Sequence, residues 1–451
     1  MSDKVAAANH GWRKWLYVMV FAVAAALGIT VVVYLIGTPA EQDQESPAVA
    51  YLDTGAGQYL VAWTDGRGVA GDIVGAIVEV RSTRVSANFP IAVNNAAQRN
   101  PSAAANPMNQ DFLVVWEDER GGATAASGFA ATSIYGQRVT HDGRLAGTNF
   151  VISSTDQDNL YPAVAYCSGS NQYLVVWDDR RNVGMTNDIY GQLVSHSGSL
   201  IGNAFPVSTD PGNESNPSVA YNSAQDEFLV VWESLPQPAP TSWDVYGQRV
   251  RCDGQLRGGQ FPISRAGNLQ VRPAVAYSAA SDKYLAAWAD GRNQTAALDH
   301  DIYGQLIRSR LSAAGGNLLG KNFPISTAKK DQNGRVSVAV SDENGFLVTF
   351  GDERTGNFTR DIYAQRVDTS GKLQGGNFPV SDATGTQQWS ASAYSSEDTS
   401  YLVVWSDSRT HMKSLNDIFG QHVAVNGALL ETKSTENFVV SVPGIVNPAK
   451  P

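Results

Sequence analysis

Seven times between residues 47 and 441 the chain returns to one pattern, whose clearest copy is PAVAYCSGSNQYLVVWDDRRNVGMTNDIYGQLVSHSGSLIGNAFPVS at 162–208. The aromatic residue closing each YLVVW-like run falls at Trp63, Trp116, Trp177, Trp232, Trp288, Phe350 and Trp405, so successive copies lie 53, 61, 55, 56, 62 and 55 residues apart. A unit of that length cannot bury its apolar faces alone and must stack on its neighbours. Each copy divides into four short apolar runs separated by turn residues, without a helical period of useful length. The expectation is an all-β, seven-bladed β-propeller of four-stranded blades over 47–441, with blades near 47–93, 101–153, 162–208, 217–264, 273–326, 336–381 and 390–441.

Within a blade the runs differ in character. PAVAY (162–166) opens on a proline, which a first strand residue tolerates because it need not donate to the ladder, and its alanines suit the crowded centre. YLVVW (173–177) is apolar on both sides, as for a strand sandwiched between two neighbours. DIYGQLV (188–194) carries a glycine recurring as Gly75, Gly136, Gly191, Gly247, Gly304 and Gly420, which predicts a bulky neighbour over the gap; the repeated Trp is the candidate. The Gln that follows it, from Gln137 to Gln421, is expected to satisfy backbone groups. Phe-Pro-Ile/Val-Ser ends the blade at its outer edge. The YLVVWDDRR…DIYG and PAVAY segments resemble the P-x-x-S-x-x-x-x-x-Y-L/I-A-F-x-S-D-R…D-I-Y repeats of TolB-type propellers, relatives of WD-repeat blades. The resemblance runs through all seven units and implies the propeller fold; it carries no partner with it.

The strongest motif is W-x-D-x-R, giving Asp65/Arg67, Asp118/Arg120, Asp179/Arg181, Asp290/Arg292, Asp352/Arg354 and Asp407/Arg409. Its recurrence in six units points to a structural role, each Asp accepting turn N–H groups and each Arg bridging to an adjacent blade. Departures from the repeat are the better guide to function. Unit four replaces Asp-x-Arg by SLPQPAPTSW (234–243), and Trp243 and Trp389 lie outside the repeated Trp position. Both fall where loops open on one face and where an exposed aromatic can stack on a sugar or anchor a partner. His300 and His411 fall on the same face and complete the candidate ligand-binding set. The clusters Asp156, Asp158, Asn159 and Asp210, Asn213, Glu214 offer oxygen ligands for Ca²⁺, with solvated turns as the plainer reading. The six histidines have no paired metal spacing, and neither a G-x-S-x-G nucleophile motif nor an S-x-D-x-G-x-x-W box occurs. No catalytic residue, resident metal or cofactor is assigned.

Residues 15–37 hold no charge over 23 positions, enough to cross a hydrocarbon core of about 30 Å. Lys4, Arg13 and Lys14 precede the segment and Glu41, Asp43 and Glu45 follow it, which predicts a cytoplasmic N-terminus (1–14), a signal-anchor helix and an exported propeller. The alternative is a secreted domain cleaved near Thr38-Pro39-Ala40. Residues 38–46 would be the linker and 442–451 a tail. A net charge of −10 argues against nucleic acid and anionic lipid surfaces as partners. Cys167 and Cys252 are assigned to turns on one face but at different radii, and so are expected to stay unpaired. The function these features favour is a membrane-anchored binding or scaffolding module for an envelope protein or glycan. The competitor is a carbohydrate-active hydrolase or lyase working from the loop face.

Overall fold

A computed structural model describes residues 43–441 apart from 54, 56, 68–69, 81, 121–130, 182–185, 237–241, 295–298, 312–316, 333, 342, 344, 357–358, 410–415 and 431–436. The chain forms seven four-stranded antiparallel sheets, each connected in sequence order, at 44–92, 98–153, 159–208, 212–264, 270–326, 337–381 and 387–439. These are the blades of a seven-bladed propeller. The candidate anchor lies outside the described residues; among those described, no helix is long and apolar enough to cross a membrane.

The second strand of each blade shows why the repeat specifies this arrangement. Gln172–Asp179 is buried along its whole length, and Trp63, Trp116, Trp177, Trp232, Trp288 and Trp405 are fully buried. Seven apolar clusters hold the ring together, each drawn from two adjacent blades. Leu174 and Val176 of blade three meet Phe228, Val230 and Trp232 of blade four, and Tyr59, Val61 and Trp63 meet Leu402 and Val404 where blade one closes on blade seven. Each seam also carries one backbone hydrogen bond, donated by the start of one blade to the carbonyl before the third strand of the blade preceding it. The donors and acceptors are Gln98 and Gly71, Asn159 and Thr132, Glu214 and Asn187, Gln270 and Trp243, Gln332 and His300, Gln387 and Arg360, and Gln44 and Asn416, at 2.7–3.0 Å. Closure therefore uses the same device as every other seam, with blades one and seven each keeping four strands of their own.

Three expectations need correction. The glycine of the third strand lies under the phenylalanine of the fourth strand, not under the tryptophan: a Cβ on Gly136 would sit 2.9 Å from Phe150 Cζ, and one on Gly420 2.8 Å from Phe438 Cζ. The first strands of blades one to five begin before their prolines, at Gln44, Gln98, Asn159, Gly212 and Gln270, and that of blade seven begins at Gln387 before Ser390, so Gln44, Glu45 and Ser46 belong to blade one and not to a linker. Cys167 and Cys252 are joined in a disulfide, with Cα atoms 6.4 Å apart. Radius misled here because strongly twisted sheets cross. On the face opposite the long loops, the inner turn of one blade comes over the outer hairpin of the next, as where Gln172 reaches the Cys252 carbonyl and Asn222 faces that of Ser309 at 3.4 Å.

Candidate ligand site at the channel mouth

The added segment of each first strand builds the most distinctive place in the molecule. A register shift interrupts the pairing before the regular register resumes, as between Glu45 and Ala48, Arg99 and Ser102, Ser215 and Ser218, Val271 and Ala274, and Gln388 and Ala391. At these bulges Ser46, Asn100, Tyr161, Asn216, Arg272 and Trp389 all have φ between 51° and 57°. Asn tolerates that region, but Tyr, Arg and Trp have no such excuse, and strain of this kind costs about 1–3 kcal/mol per residue. With Arg335 of blade six they form one ring, one residue per blade, around a central cavity of about 730 Å³. The same cavity is lined by Ala48, Ser102, Ala163, Ser218, Ala274, Ser337 and Ala391, one small side chain from the first strand of each blade.

The residue after the repeated Trp fixes half of this ring. Thr64 Oγ1 accepts the N–H of Asn100 at 3.1 Å, Glu117 Oε1 that of Tyr161 at 2.7 Å, and Glu233 Oε2 that of Arg272 at 2.5 Å. Asp178 accepts the backbone N–H of Asn216 and the hydroxyl of Ser215 at 2.5 Å. Burial pushes the carboxyls of Glu117, Asp178 and Glu233 upward, and in Asp178 the neighbouring Glu233 and Glu117 push the same way. Blades five to seven place Ala289, Gly351 and Ser406 at that position. Thus the mouth has an acid-backed half and a half without acids behind it.

Arg99, Arg272 and Arg335 line the cavity, with Glu45 as the carboxylate among the described lining residues. Arg99 pairs with Glu119. Arg335 is exposed to the lumen and has no hydrogen bond or ion pair among the described residues. Burial, then Asp43, raises Glu45 toward its neutral form.

The candidate residues from the sequence are distributed differently. Trp389 is half-buried in the ring. Trp243 and His300 occupy equivalent seam positions outside it, their carbonyls accepting from Gln270 and Gln332 at 2.8 Å. His300 is buried with Nδ1 2.9 Å from Asp331 Oδ1, and Arg360 lies 3.3 Å from the other Asp331 oxygen. His411 lies outside the described residues. Asp158 pairs with Arg180 at 3.0 Å, and the Asn159 amide donates to the carbonyls of Thr132 and Gln157. Asp210 accepts from Gln260, and the Asn213 side chain accepts the Asn187 N–H at 3.3 Å. The three metal-ligating side chains that converge among the described residues are Cys167, Asp226 and Cys252, whose thiols are consumed in the disulfide.

The W-x-D-x-R motif acts within its own turn first. Each Asp accepts the backbone N–H of its Arg at 2.8–2.9 Å and pairs with the same guanidinium. Trp116, Trp177, Trp288 and Trp405 donate their indole N–H to it at 2.7–2.8 Å. In five blades the guanidinium covers the ring of Tyr135, Tyr190, Tyr303, Tyr363 or Phe419 at 3.9–4.5 Å.

The bridge to an adjacent blade, expected of every motif arginine, is made by three of the six. Arg292, Arg354 and Arg409 reach the serine that ends the preceding blade, at Ser264, Ser326 and Ser381. Arg67, Arg120 and Arg181 correct the expectation: among the described residues none of them bonds across a seam. Arg67 bonds to Asp65 alone, and the corresponding hydroxyl of blade seven, Ser441, accepts the Ile418 N–H of its own blade at 2.8 Å. Arg120 bonds to Asp118 and, at 3.1 Å, to Asn149, both inside blade two, because blade one ends in Ala92 and offers no hydroxyl. There Asn149 makes the bridge instead, its amide donating to the Ile91 carbonyl of blade one at 3.2 Å. Arg181 stays on Asp179, while Ser153 of blade two gives its hydroxyl to Asn159 at 2.9 Å.

No protein-family profile and no curated protein matches the chain. Among solved structures it is similar to a protein of unknown function from Dyadobacter fermentans, at TM-score 0.51 and 11% identity over 72% of this chain and 94% of that one. It is also similar to Sqt1 from Chaetomium thermophilum bound to the N-terminus of a ribosomal protein (TM-score 0.48, 12% identity, 87% and 88% covered). A third is the intramolecular trans-sialidase of Ruminococcus gnavus (TM-score 0.45, 9% identity, 84% and 95% covered). At these identities the likeness shows the fold alone.

Proposed function

We propose that this protein is a glycan-binding module whose ligand enters the channel mouth. The observation that carries the reading is the ring itself: at one position per blade the repeat sets Ser46, Asn100, Tyr161, Asn216, Arg272, Arg335 and Trp389, mostly on strained backbone. Strained, convergent, non-repeated side chains around a pocket are a mark of a site. A cavity of about 730 Å³ has the size of a small-ligand pocket and is too narrow for the flat face of a folded partner. Amide and hydroxyl groups suit a ligand rich in hydroxyls, and Tyr161 and Trp389 supply stacking faces. Binding is favoured over hydrolysis by the common glycosidase mechanism, which needs two facing acids. Here Glu117, Asp178 and Glu233 are engaged by backbone behind the ring and do not line the cavity, which leaves Glu45.

The same reading places the propeller outside the cytoplasm, tethered by 15–37. Its support is the positive-before, acidic-after flanking of that segment and the Cys167–Cys252 disulfide, a bond that persists in oxidising compartments. The test is a fluorescent glycan panel against the full chain in detergent, with Tyr161→Ala/Trp389→Ala as the mouth variant and Trp243→Ala as the control. Binding should be lost with the mouth variant and kept with the control. Loss only on Trp243→Ala would move the site to the blade-four seam, and a stable co-purifying protein with no glycan bound would favour the envelope-protein reading.

A further inference from the structure

We infer that the ligand of the channel mouth is an acidic saccharide, its anionic group held by Arg335 and a sugar face laid on Trp389; this rests on the glycan-binding reading above. The argument begins with charge. The chain carries −10 overall, yet three arginines and one carboxylate line the cavity, and that carboxylate, Glu45, is pushed toward its neutral form. Arg99 is paired to Glu119, and Glu117, Asp178 and Glu233 back the other half of the mouth. The cationic part of the lining is therefore the Arg335 side, and a concave site concentrates the opposite charge.

Arg335 then differs from most of the other arginines, which already have an acid partner. Arg249, fully buried, has Glu227 at 2.6 Å; Arg138 has Asp111 at 2.5 Å; Arg360 has Glu353 at 2.9 Å; and the six motif arginines each have their Asp. Arg335 has no such partner among the described residues and stands exposed to the lumen. A guanidinium keeps its proton, so Arg335 faces the lumen as a cation with no counter-ion from the described residues. No built-in substitute stands behind it either: where blades two to four set Glu117, Asp178 and Glu233 behind the ring residue of the next blade, blade five has Ala289 behind Arg335, and blade six itself has Gly351. An anion from outside is the missing group, and a carboxylate or sulfate ester matches the guanidinium fork.

Why a sugar should carry that anion follows from the next blade. Trp389 stands beside Arg335 in the ring with φ at 57°, half-buried, its indole part of the cavity wall. A cation next to an aromatic face, rimmed by Asn and Ser, fits an acid group on a pyranose better than a bare phosphate, which would leave the indole unused.

The experiment titrates the full chain in detergent with uronate oligosaccharides (galacturonate, glucuronate and mannuronate tetramers), their carboxyl-reduced neutral counterparts, and sulfated glycans, by calorimetry and tryptophan fluorescence. At least one acidic oligomer should bind, with its neutral counterpart at least 30-fold weaker. Arg335→Met should weaken the acidic ligand by a similar factor without changing the thermal midpoint, Arg335→Lys should fall between, and Trp389→Ala should weaken both forms. The uronate and sulfate arms identify which acid is preferred. Equal affinity for acidic and reduced forms, or no effect of Arg335→Met, overturns the inference while a Trp389-dependent neutral ligand leaves the glycan reading standing. Failure of every acidic and neutral glycan with a folded protein overturns both.

Discussion

Glu214→Gln is expected to make the propeller more stable at alkaline pH and to leave it unchanged in acid. Glu214 is fully buried at the start of blade four, and burial, followed by the charges of Asp188 and Asp210, pushes its pKa up to about 8. Its hydrogen bonds argue for the acid form independently. Ser208 Oγ lies 2.6 Å from Glu214 Oε1 and 2.7 Å from Gln260 Oε1, and Gln260 must present that oxygen because its amide nitrogen donates to Asp210. One hydroxyl proton cannot serve two acceptors, so Ser208 donates to Gln260 and a protonated Glu214 donates to Ser208. Equivalent positions in other blades carry Gln98, Asn159, Gln270, Gln332 and Gln387, amides that donate to nearby carbonyls. A raised acid pKa means the folded state binds the proton more tightly than the unfolded one. The resulting stability is complete below about pH 4.5 and is lost as pH rises through about 8. At about 1.4 kcal/mol per unit, the cost of ionising Glu214 between pH 5 and pH 9 comes to about 4 kcal/mol. Urea unfolding of wild type and Glu214→Gln at both pH values isolates this group from the other buried acids. Parallel profiles would refute the protonated buried carboxyl.

Replacing Cys167 and Cys252 together by Ser should cost about 2–4 kcal/mol in urea unfolding, reproduced in wild type by reductant, because the bond closes a long loop across the seam of blades three and four. The denatured, unreduced protein should show no reactive thiol. Arg249→Met should lose about 3–5 kcal/mol, leaving Glu227 buried with only the half-exposed Arg257, whereas Arg249→Met with Glu227→Leu should recover much of it. Gly304→Ala should destabilise by about 1–3 kcal/mol, since its Cβ would stand 2.7 Å from Ile325 Cδ1; an unchanged thermal midpoint would contradict the packing described.

Much of the architecture was legible in one dimension because each blade repeats the same solution to the same burial problem. The period, the doubly buried YLVVW strand and the edge-tolerant prolines required blades stacked in a ring, whatever else the chain did. The W-x-D-x-R motif was legible as structural for the same reason, and the repeated Gln does satisfy backbone, Gln192 donating to the carbonyls of Leu193 and Ile201 at 2.9 Å. Which motif arginines cross a seam was not legible within the motif, because it depends on the residue ending the preceding blade and on what that residue already bonds: Ser264 receives Arg292, Ala92 offers Arg120 no hydroxyl, and Ser153 beside Arg181 is given to Asn159. Trp389 could be singled out as a departure from the repeat, but its neighbours in the mouth could not. Ser46, Asn100, Tyr161, Asn216 and Arg272 stand immediately before the prolines that were read as strand starts, and the signal available was that this position changes from blade to blade while the proline stays. That they form one ring depends on a bulge whose positive φ has no sequence signature in Tyr, Arg or Trp, and on seven distant segments converging at one axis. Pairing of Cys167 with Cys252 and the isolation of Arg335 belong to the same class. Sheet twist and the placement of charges across blades decide them, and both arise only when residues far apart in the chain come within a few ångströms.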